Sequence, residues 1–323
     1  MSGRVRVLHP DMASPQQTRP THVVAIHENP DWWPPFEKAF AEAGVPVEQW
    51  LLTGEGTLDL GAAPPDAVFW SRMSASSHTR GHTLAKEHTR AVLAWLEAHG
   101  RRVVNGRRVL ELEMSKIDQH TALRAAGLDV PRTVGVLGTS GLAAAARALP
   151  APFVTKHNQG GKGLGVRRFD SHAELDAALA AGEIEPGPDG ITLVQEYVQP
   201  AEPFVTRAEL VGGELVYAVR VATTSGFELC PADACAAPGA DPLFALREGY
   251  VPPHLDGLRR FLAAAGVEIA GVEFIETADG RVVTYDVNTN TNYNPDVEAV
   301  APASGPGEIA RYLGSLLDQA QRG

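Results

Sequence analysis

Cysteine is nearly missing from this chain: Cys230 and Cys235 are the only two among 323 residues. Two thiols cannot build a disulfide framework, and the Cys-Pro-Ala-Asp-Ala-Cys order lacks metal-ligand spacing, so both read as free thiols in a reducing, cytoplasmic setting. Long apolar runs are missing too. With no stretch of 18 apolar residues, nothing in the sequence is expected to span a membrane as a helix. Positive charge is scarce: 28 Lys and Arg stand against 39 Asp and Glu, and a net charge of -11 argues against nucleic acid or an anionic membrane surface as a partner. The 11 histidines are scattered, and His78 with His82 lack the His-Glu-x-x-His form of a zinc helix. No internal repeat or low-complexity segment is visible. The first residues carry arginines but no apolar signal-peptide core. Residues 1–20 are expected to be a flexible tail, within which Met12 is an alternative start.

What the chain does have is an ordinary globular composition, 44% apolar and 21% charged, over a length sufficient for two or three domains. From Thr21 onward, strand-like His22–Ile26, Val47–Leu51, Ala67–Trp70 and Arg102–Val104 alternate with helical stretches near Phe36–Ala43 and Thr83–His99. Alternating elements with short connections imply a parallel sheet covered by helices over residues 21–115. The loop Ser71–His82 leaves the C-terminal end of a strand, where open α/β sheets place ligands. Its Arg72 and Arg80 are candidate anchors for a substrate carboxylate, which a guanidinium grips bidentately. The loop His27–Pro35, with adjacent Trp32 and Trp33, reads either as a pocket wall or as packing between domains. A small α+β unit is expected over 116–197, with Ser140 and Ser171 as helix N-caps and Glu174 completing a capping box. A larger α+β unit follows over 198–323, with a hairpin signalled by Gly212-Gly213 and a last helix near Glu308–Gln319.

Two segments carry chemistry. Gly271–Glu276 and Arg281–Asn288, joined by the turn Thr277–Gly280, make a hairpin. Period-2 alternation puts Glu273 with Ile275 on one face and Asp286 with Asn288 on one face of the partner strand, so three oxygen ligands converge as a hard cation such as Mg²⁺ requires. Upstream, the run from Lys156 through Gly160, Gly161, Lys162, Gly163 and Gly165 lies between strand-like Pro152–Thr155 and Val166–Phe169. Its glycines let backbone N–H groups approach phosphate oxygens, and its lysines supply positive charge. It is not a Walker A loop, because Gly163 follows Lys162 where Ser or Thr is required.

In this order the segments resemble the ATP-grasp ligases. The resemblance starts at Ser115-Lys116-Ile117-Asp118 and Leu123–Thr133, similar to the family's lysine-bearing helix and the Gly-x-x-x-Pro-x-Thr strand behind it. It runs through Lys156, the Gly-rich loop and Val194–Val198, closes at Glu273, Asp286 and Asn288, and covers about residues 21–315. It implies an ATP-grasp fold of α/β and α+β type: an N-terminal parallel-sheet domain, a small central α+β domain and a C-terminal antiparallel-sheet domain. It implies ATP and Mg²⁺ or Mn²⁺ as cofactors. Lys116 and Lys156 would contact the α- and β-phosphates, with Gly160, Gly161, Lys162 and Gly163 closing over the γ-phosphate. Glu196, Tyr197 and Val198 would form the hinge along the adenine edge, Glu202 would meet the ribose, and Glu273, Asp286 and Asn288 would hold the metal.

ATP brings about four negative charges, so its phosphates need cations around them and carboxylates only where metal neutralises them. Arg207 and Arg220, both on the 204–221 hairpin, are candidate catalytic residues for the transferred phosphoryl group or an oxyanion, each such contact contributing roughly 3 to 4 kcal/mol in comparable sites. The expected reaction joins a carboxylate, of an amino acid or small peptide-like metabolite, to an amine through an acylphosphate. Intramolecular ring closure and a nucleotide-binding module without turnover are the alternatives. After Arg220 the chain departs from the family's glutamate-ligase branch: Phe227–Asp233 stands where that branch resembles Phe-Arg-Ser-Asn and a Gly-rich turn. Substrate identity therefore stays open, with Asp233 or Glu228 as candidates for an α-amino group. Analogy with the family also implies a homo-oligomer.

Overall fold

A computed structural model describes residues 19–161, 163, 165–223 and 243–322. The expectations placed on Lys162, Glu228, Cys230, Asp233, Cys235 and most of the N-terminal tail lie outside the described residues.

The first sheet contains β1 (Val23–His27), β2 (Val47–Leu51), β3 (Val68–Ser71) and β4 (Arg102–Val104), all parallel in the order β2-β1-β3-β4. Every residue of β1 and β3 is buried, which is why VVAIH and VFWS read as apolar runs rather than alternating patterns. Helix α1 (Pro34–Glu42) begins with two prolines where no N–H partner is needed, and buries Phe36, Ala39 and Phe40 at helical spacing. Helix α2 (Ala85–Ala98) covers the opposite side through Leu93 and Leu96, which share a core with Val24, Ile26 and Phe69. Helices α3 (Arg107–Met114) and α4 (Lys116–Ala125) lead out of this unit, and Ser115 caps α4 by accepting from the Asp118 N–H.

The second sheet is antiparallel, in the order β5 (Thr133–Leu137), β8 (Ile191–Glu196), β6 (Phe153–His157), β7 (Arg167–Phe169). Helices α5 (Leu142–Ala146) and α6 (His172–Ala180) back it. Ser171 caps α6, as its sequence signature predicts. Ser140 does not cap α5: Gly141 holds the cap position, and the Leu142 N–H is satisfied by the Thr139 carbonyl instead.

The third sheet is β11 (Phe244–Leu246), β10 (Glu214–Ala222), β9 (Phe204–Val211), β12 (Ile269–Glu276), β13 (Val282–Asn288), in that antiparallel order. Gly212 and Gly213 turn between β9 and β10 with φ of 60° and 84°, the left-handed pair a two-residue hairpin demands. Helix α7 (Leu255–Ala265) packs beneath the sheet, and the short α8 (Pro295–Glu298) precedes α9 (Gly305–Arg322). Helix α9 returns to the first sheet, where Ile309 and Leu313 share a core with Val23, Phe36 and Phe40. Among the described residues no helix is long and apolar enough to cross a membrane.

Asn105 fastens the first unit to the third sheet. It adopts φ 52°, donates to the carbonyls of Ile269 (2.8 Å) and Thr289 (3.4 Å), and accepts from the N–H groups of Glu268 (3.0 Å) and Ile269 (3.3 Å). Asn105→Ala leaves buried backbone groups unpaired and keeps left-handed backbone without the side-chain hydrogen bonds that make it tolerable for Asn. It is expected to cost about 2 to 4 kcal/mol in denaturant unfolding. A loss under about 0.5 kcal/mol would show that the clamp contributes nothing.

Candidate active site

Two β-bulges decide which side chains meet. Between β12 and β13 the ladder pairs Glu276 with Val282, Ile275 with Val283 and Phe274 with Thr284, then jumps to pair Glu273 with Asp286. An unbroken ladder would set Tyr285 opposite Glu273 and turn Asp286 to the other face, so the extra residue is what brings the two carboxylates together. Tyr285, the inserted residue, stays on the wall and donates to Glu273 Oε2 at 2.8 Å. Asn288 donates to Glu273 Oε1 at 3.2 Å.

The second bulge lies between β9 and β10. Leu215 pairs with Leu210, and continuing that register would put Arg220 opposite Val205, on the face of Arg207. The ladder slips before Tyr217, Arg220 pairs with Thr206 instead, and its side chain is exposed on the opposite face. Arg220 therefore does not reach the site; Arg207 does, with Val219 opposite it.

Lys116, at the start of α4, and Lys156, on β6, enter from the second unit and are each only 8% exposed. Lys116 Nζ donates to Asp286 Oδ1. Burial opposes its charge, yet Asp286, Glu113 and Glu273 raise its pKa. Lys156 has less support: burial, then the charge of Lys116, lowers it to about 8. Burial pushes Asp286 up, but the two lysines outweigh it and hold its carboxyl below the ordinary value. Burial, then the neighbouring Asp286, pushes Glu273 up. Two facing carboxylates beside an amide oxygen form a hard, oxygen-only donor set that fits a divalent cation. Among the described residues no group of three or more His, Cys, Asp or Glu side chains gathers to hold a metal.

These groups line a cavity of about 630 Å³ between the three sheets. Gly160, Gly161 and Gly163 line it as well. A Cβ at Gly161 would stand 3.2 Å from the Ser76 Cβ of the first unit, and Lys86 Nζ of α2 donates to Gln159 Oε1 at 2.7 Å, so the loop at Gln159 and Gly161 packs against the first unit. Val154, Val198, Val205, Phe244 and Ile275 give the cavity an apolar part, and Glu196 and Tyr197, expected from sequence to form a hinge, line it as well. The Glu196 carboxylate is held by the Arg132 N–H (3.0 Å) and Arg281 (3.1 Å), and the Arg168 guanidinium lies 4.4 Å above the Tyr197 ring. Gln195, invisible as a site residue in the sequence because it occupies a strand interior, is 7% exposed and lines the cavity with its Oε1 bonded to nothing. Glu202 is exposed and outside the wall; its neighbours Pro200 and Pro203 line the cavity in its place.

The remaining arginine expectations change character. The Arg207 side chain is 13% exposed, with Nε 2.5 Å from Glu209 Oε1, Nη1 3.2 Å from Glu273 Oε1 and Nη2 2.6 Å from Thr291 Oγ1. It is thus committed to two acids. Arg72 is 2% exposed, stacks 4.2 Å over Phe36, donates to Asn292 Oδ1 at 2.9 Å, and stands behind the cavity wall rather than on it. Arg80 is paired with Glu28, which also takes His82 Nδ1 at 2.7 Å, and stacks 4.6 Å over Trp32. Arg72 does not line the cavity, and the Arg80 guanidinium is taken by Glu28. Trp32 is a pocket wall, whereas Trp33 packs in the core against His27, Phe36 and Phe40.

No protein-family model and no curated protein matches the chain. Solved structures do. The ATP-grasp ligase PsnB, complexed with a minimal precursor, Mg and ADP, superposes with a TM-score of 0.65 at 17% identity over 94% of this chain and 100% of its own. D-cycloserine synthetase DcsG gives 0.63 at 19% over 91% and 99%. The D-Ala:D-Ser ligase VanG from Enterococcus faecalis gives 0.62 at 15% over 92% and 99%. The architecture of this chain is therefore the ATP-grasp fold.

Proposed function

We propose that this chain is an ATP-dependent ligase that activates a carboxylate and joins it to an amine, and that Glu273, Asp286 and Asn288 hold Mg²⁺ or Mn²⁺. The observation that carries the reading is the meeting, inside one cavity, of two buried lysines with the bulge-aligned Glu273, Asp286 and Asn288. Gln195 supports it as well, since a buried acceptor without a donor suits the exocyclic amine of adenine. The apolar surround and the Tyr197 ring suit the base plane. Lys116 and Lys156 bind phosphate oxygens, and the docked loop excludes water. The bound cation neutralises phosphate charge so that an anionic nucleophile can approach. A substrate carboxylate oxygen then attacks the γ-phosphorus, the bond to the ADP oxygen breaks, and the acylphosphate carbonyl is attacked by an amine. The amine loses a proton and phosphate leaves. The solved neighbours include MdnC, a macrocyclase bound with a precursor peptide, besides the ligases named above.

The test is isotopic. With an ¹⁸O-labelled carboxylate drawn from a screen of amino acids and dipeptides, one ¹⁸O appears in the released phosphate. Label that stays wholly in substrate and product despite ATP cleavage refutes carboxylate activation, and binding of ATP without cleavage across the screen favours an inert nucleotide module.

Lys156 gives a pH signature. With its pKa lowered to about 8, it is charged below pH 7 and loses its proton as pH rises through 8. Phosphates bind the charged form, so ADP affinity measured by calorimetry is level below about pH 7 and declines above about pH 8. Lys156→Met binds at least ~10-fold more weakly at pH 7, the size of a charge-assisted hydrogen bond, and lacks that decline. A variant that keeps both the affinity and the slope would place the phosphates elsewhere.

A further inference from the structure

We propose that Glu113 and Asn290 form an ammonium subsite in the same cavity, so that one substrate presents a primary amine to the wall between the first domain and the strand leaving the metal residues. It rests on the ligase reading only for the fate of that amine. Glu113, in the last turn of α3, is buried and lines the cavity together with Ser74, Ala75 and Ser76. Its Oε2 is taken by Thr289, whose N–H and Oγ1 donate at 2.7 and 2.8 Å, while Oε1 receives only the long 3.3 Å bond from the Ala75 N–H. One carboxylate oxygen therefore keeps acceptor capacity.

The segment after Asn288 alternates, and the alternation is what builds the subsite. Asn288, Asn290 and Asn292 line the cavity, whereas Thr289 turns to Glu113 and Thr291 to Arg207 and Glu209. Thr289 thus places Glu113 one residue from Asn290, whose Oδ1 is closed to solvent and accepts no hydrogen bond. The other acceptors nearby are engaged: Asn292 Oδ1 by Arg72, and Ser76 Oγ by Arg80 and Ser74. What lacks a close donor is a carboxylate oxygen and an amide oxygen, both of them acceptors. A three-donor ammonium is complementary to that pair; a carboxylate would meet the negative charge of Glu113. Lys116, the nearest cation, is tied to Asp286.

The experiment uses the full chain saturated with AMPPNP and Mg²⁺, titrated calorimetrically with the methyl esters of glycine, alanine and serine in both hands, which carry an ammonium and no carboxylate, and with their N-acetyl forms. At least one ester binds the wild type, and its N-acetyl form binds at least ~10-fold more weakly. In Glu113→Gln and in Asn290→Leu that preference shrinks to within ~2-fold, with melting temperatures recorded to confirm folding; Asn290→Leu serves if the buried Glu113 variant does not fold. Esters that bind neither protein, or a preference that survives both substitutions, overturn the subsite. Hydroxamate formation by the wild type from hydroxylamine and the amino-acid panel tests the ligase reading separately: its absence beside an intact ester preference sinks that reading and leaves the subsite standing.

Discussion

Asp286→Asn lowers substrate-dependent ADP release by at least ~100-fold, more than the loss of an outer partner of a metal ligand produces. The choice of Asn matters. Asp286 is also the partner of the buried Lys116, and Asp286→Ala strands that cation in the interior, at a cost on the order of 3 to 5 kcal/mol. Asn keeps an acceptor for Lys116 and removes the charge that the cation site needs. The expected pattern is collapsed turnover and a near-normal melting temperature in Asp286→Asn, against losses in both for Asp286→Ala. Turnover at the wild-type rate in Asp286→Asn, or in the wild type under excess chelator, would remove the metal from the site.

Arg207→Met is expected to be the most damaging substitution in the wall, lowering stability by on the order of 3 to 5 kcal/mol, because it leaves Glu209 and Glu273 buried and uncompensated. Burial alone would lower the Arg207 pKa, and the two acids instead raise it well above the usual value. Denaturant unfolding of Arg207→Met, of Glu209→Gln and of the pair measures the coupling, and the double variant recovers part of the single loss. A single variant within about 1 kcal/mol of wild type would show that the arginine is free to serve an incoming group, as its reading as a catalytic residue from sequence expected.

The sequence carried the parts of the site that depend on residue type and order: the capped helix bearing Lys116, the Gly-rich loop, and the acidic hairpin. It did not carry phase. Period-2 counting treats a strand as regular, and both bulges break it, one bringing Asp286 to Glu273 and the other taking Arg220 away from Arg207. No residue signal marks either slip, since Val216 and Tyr285 are ordinary strand formers. Gln195 and Glu113 were illegible for another reason. Polar residues in strand and helix interiors look like surface positions until the third dimension shows what encloses them. The surroundings of Arg72 and Arg80 were illegible too: Arg72 is buried behind the cavity wall, and Glu28, distant in sequence, takes the Arg80 guanidinium.

The contact between Lys86 and Gln159 joins residues 73 positions apart, one on a helix of the first domain and one at the lip of the Gly-rich loop. Lifting that loop breaks a bond to the first domain, and shifting the first domain drags on the loop. One hydrogen bond thus ties the lip of the loop to α2 and, through it, to the N-terminal sheet. A substitution at Lys86 removes that tie without altering any residue that lines the cavity.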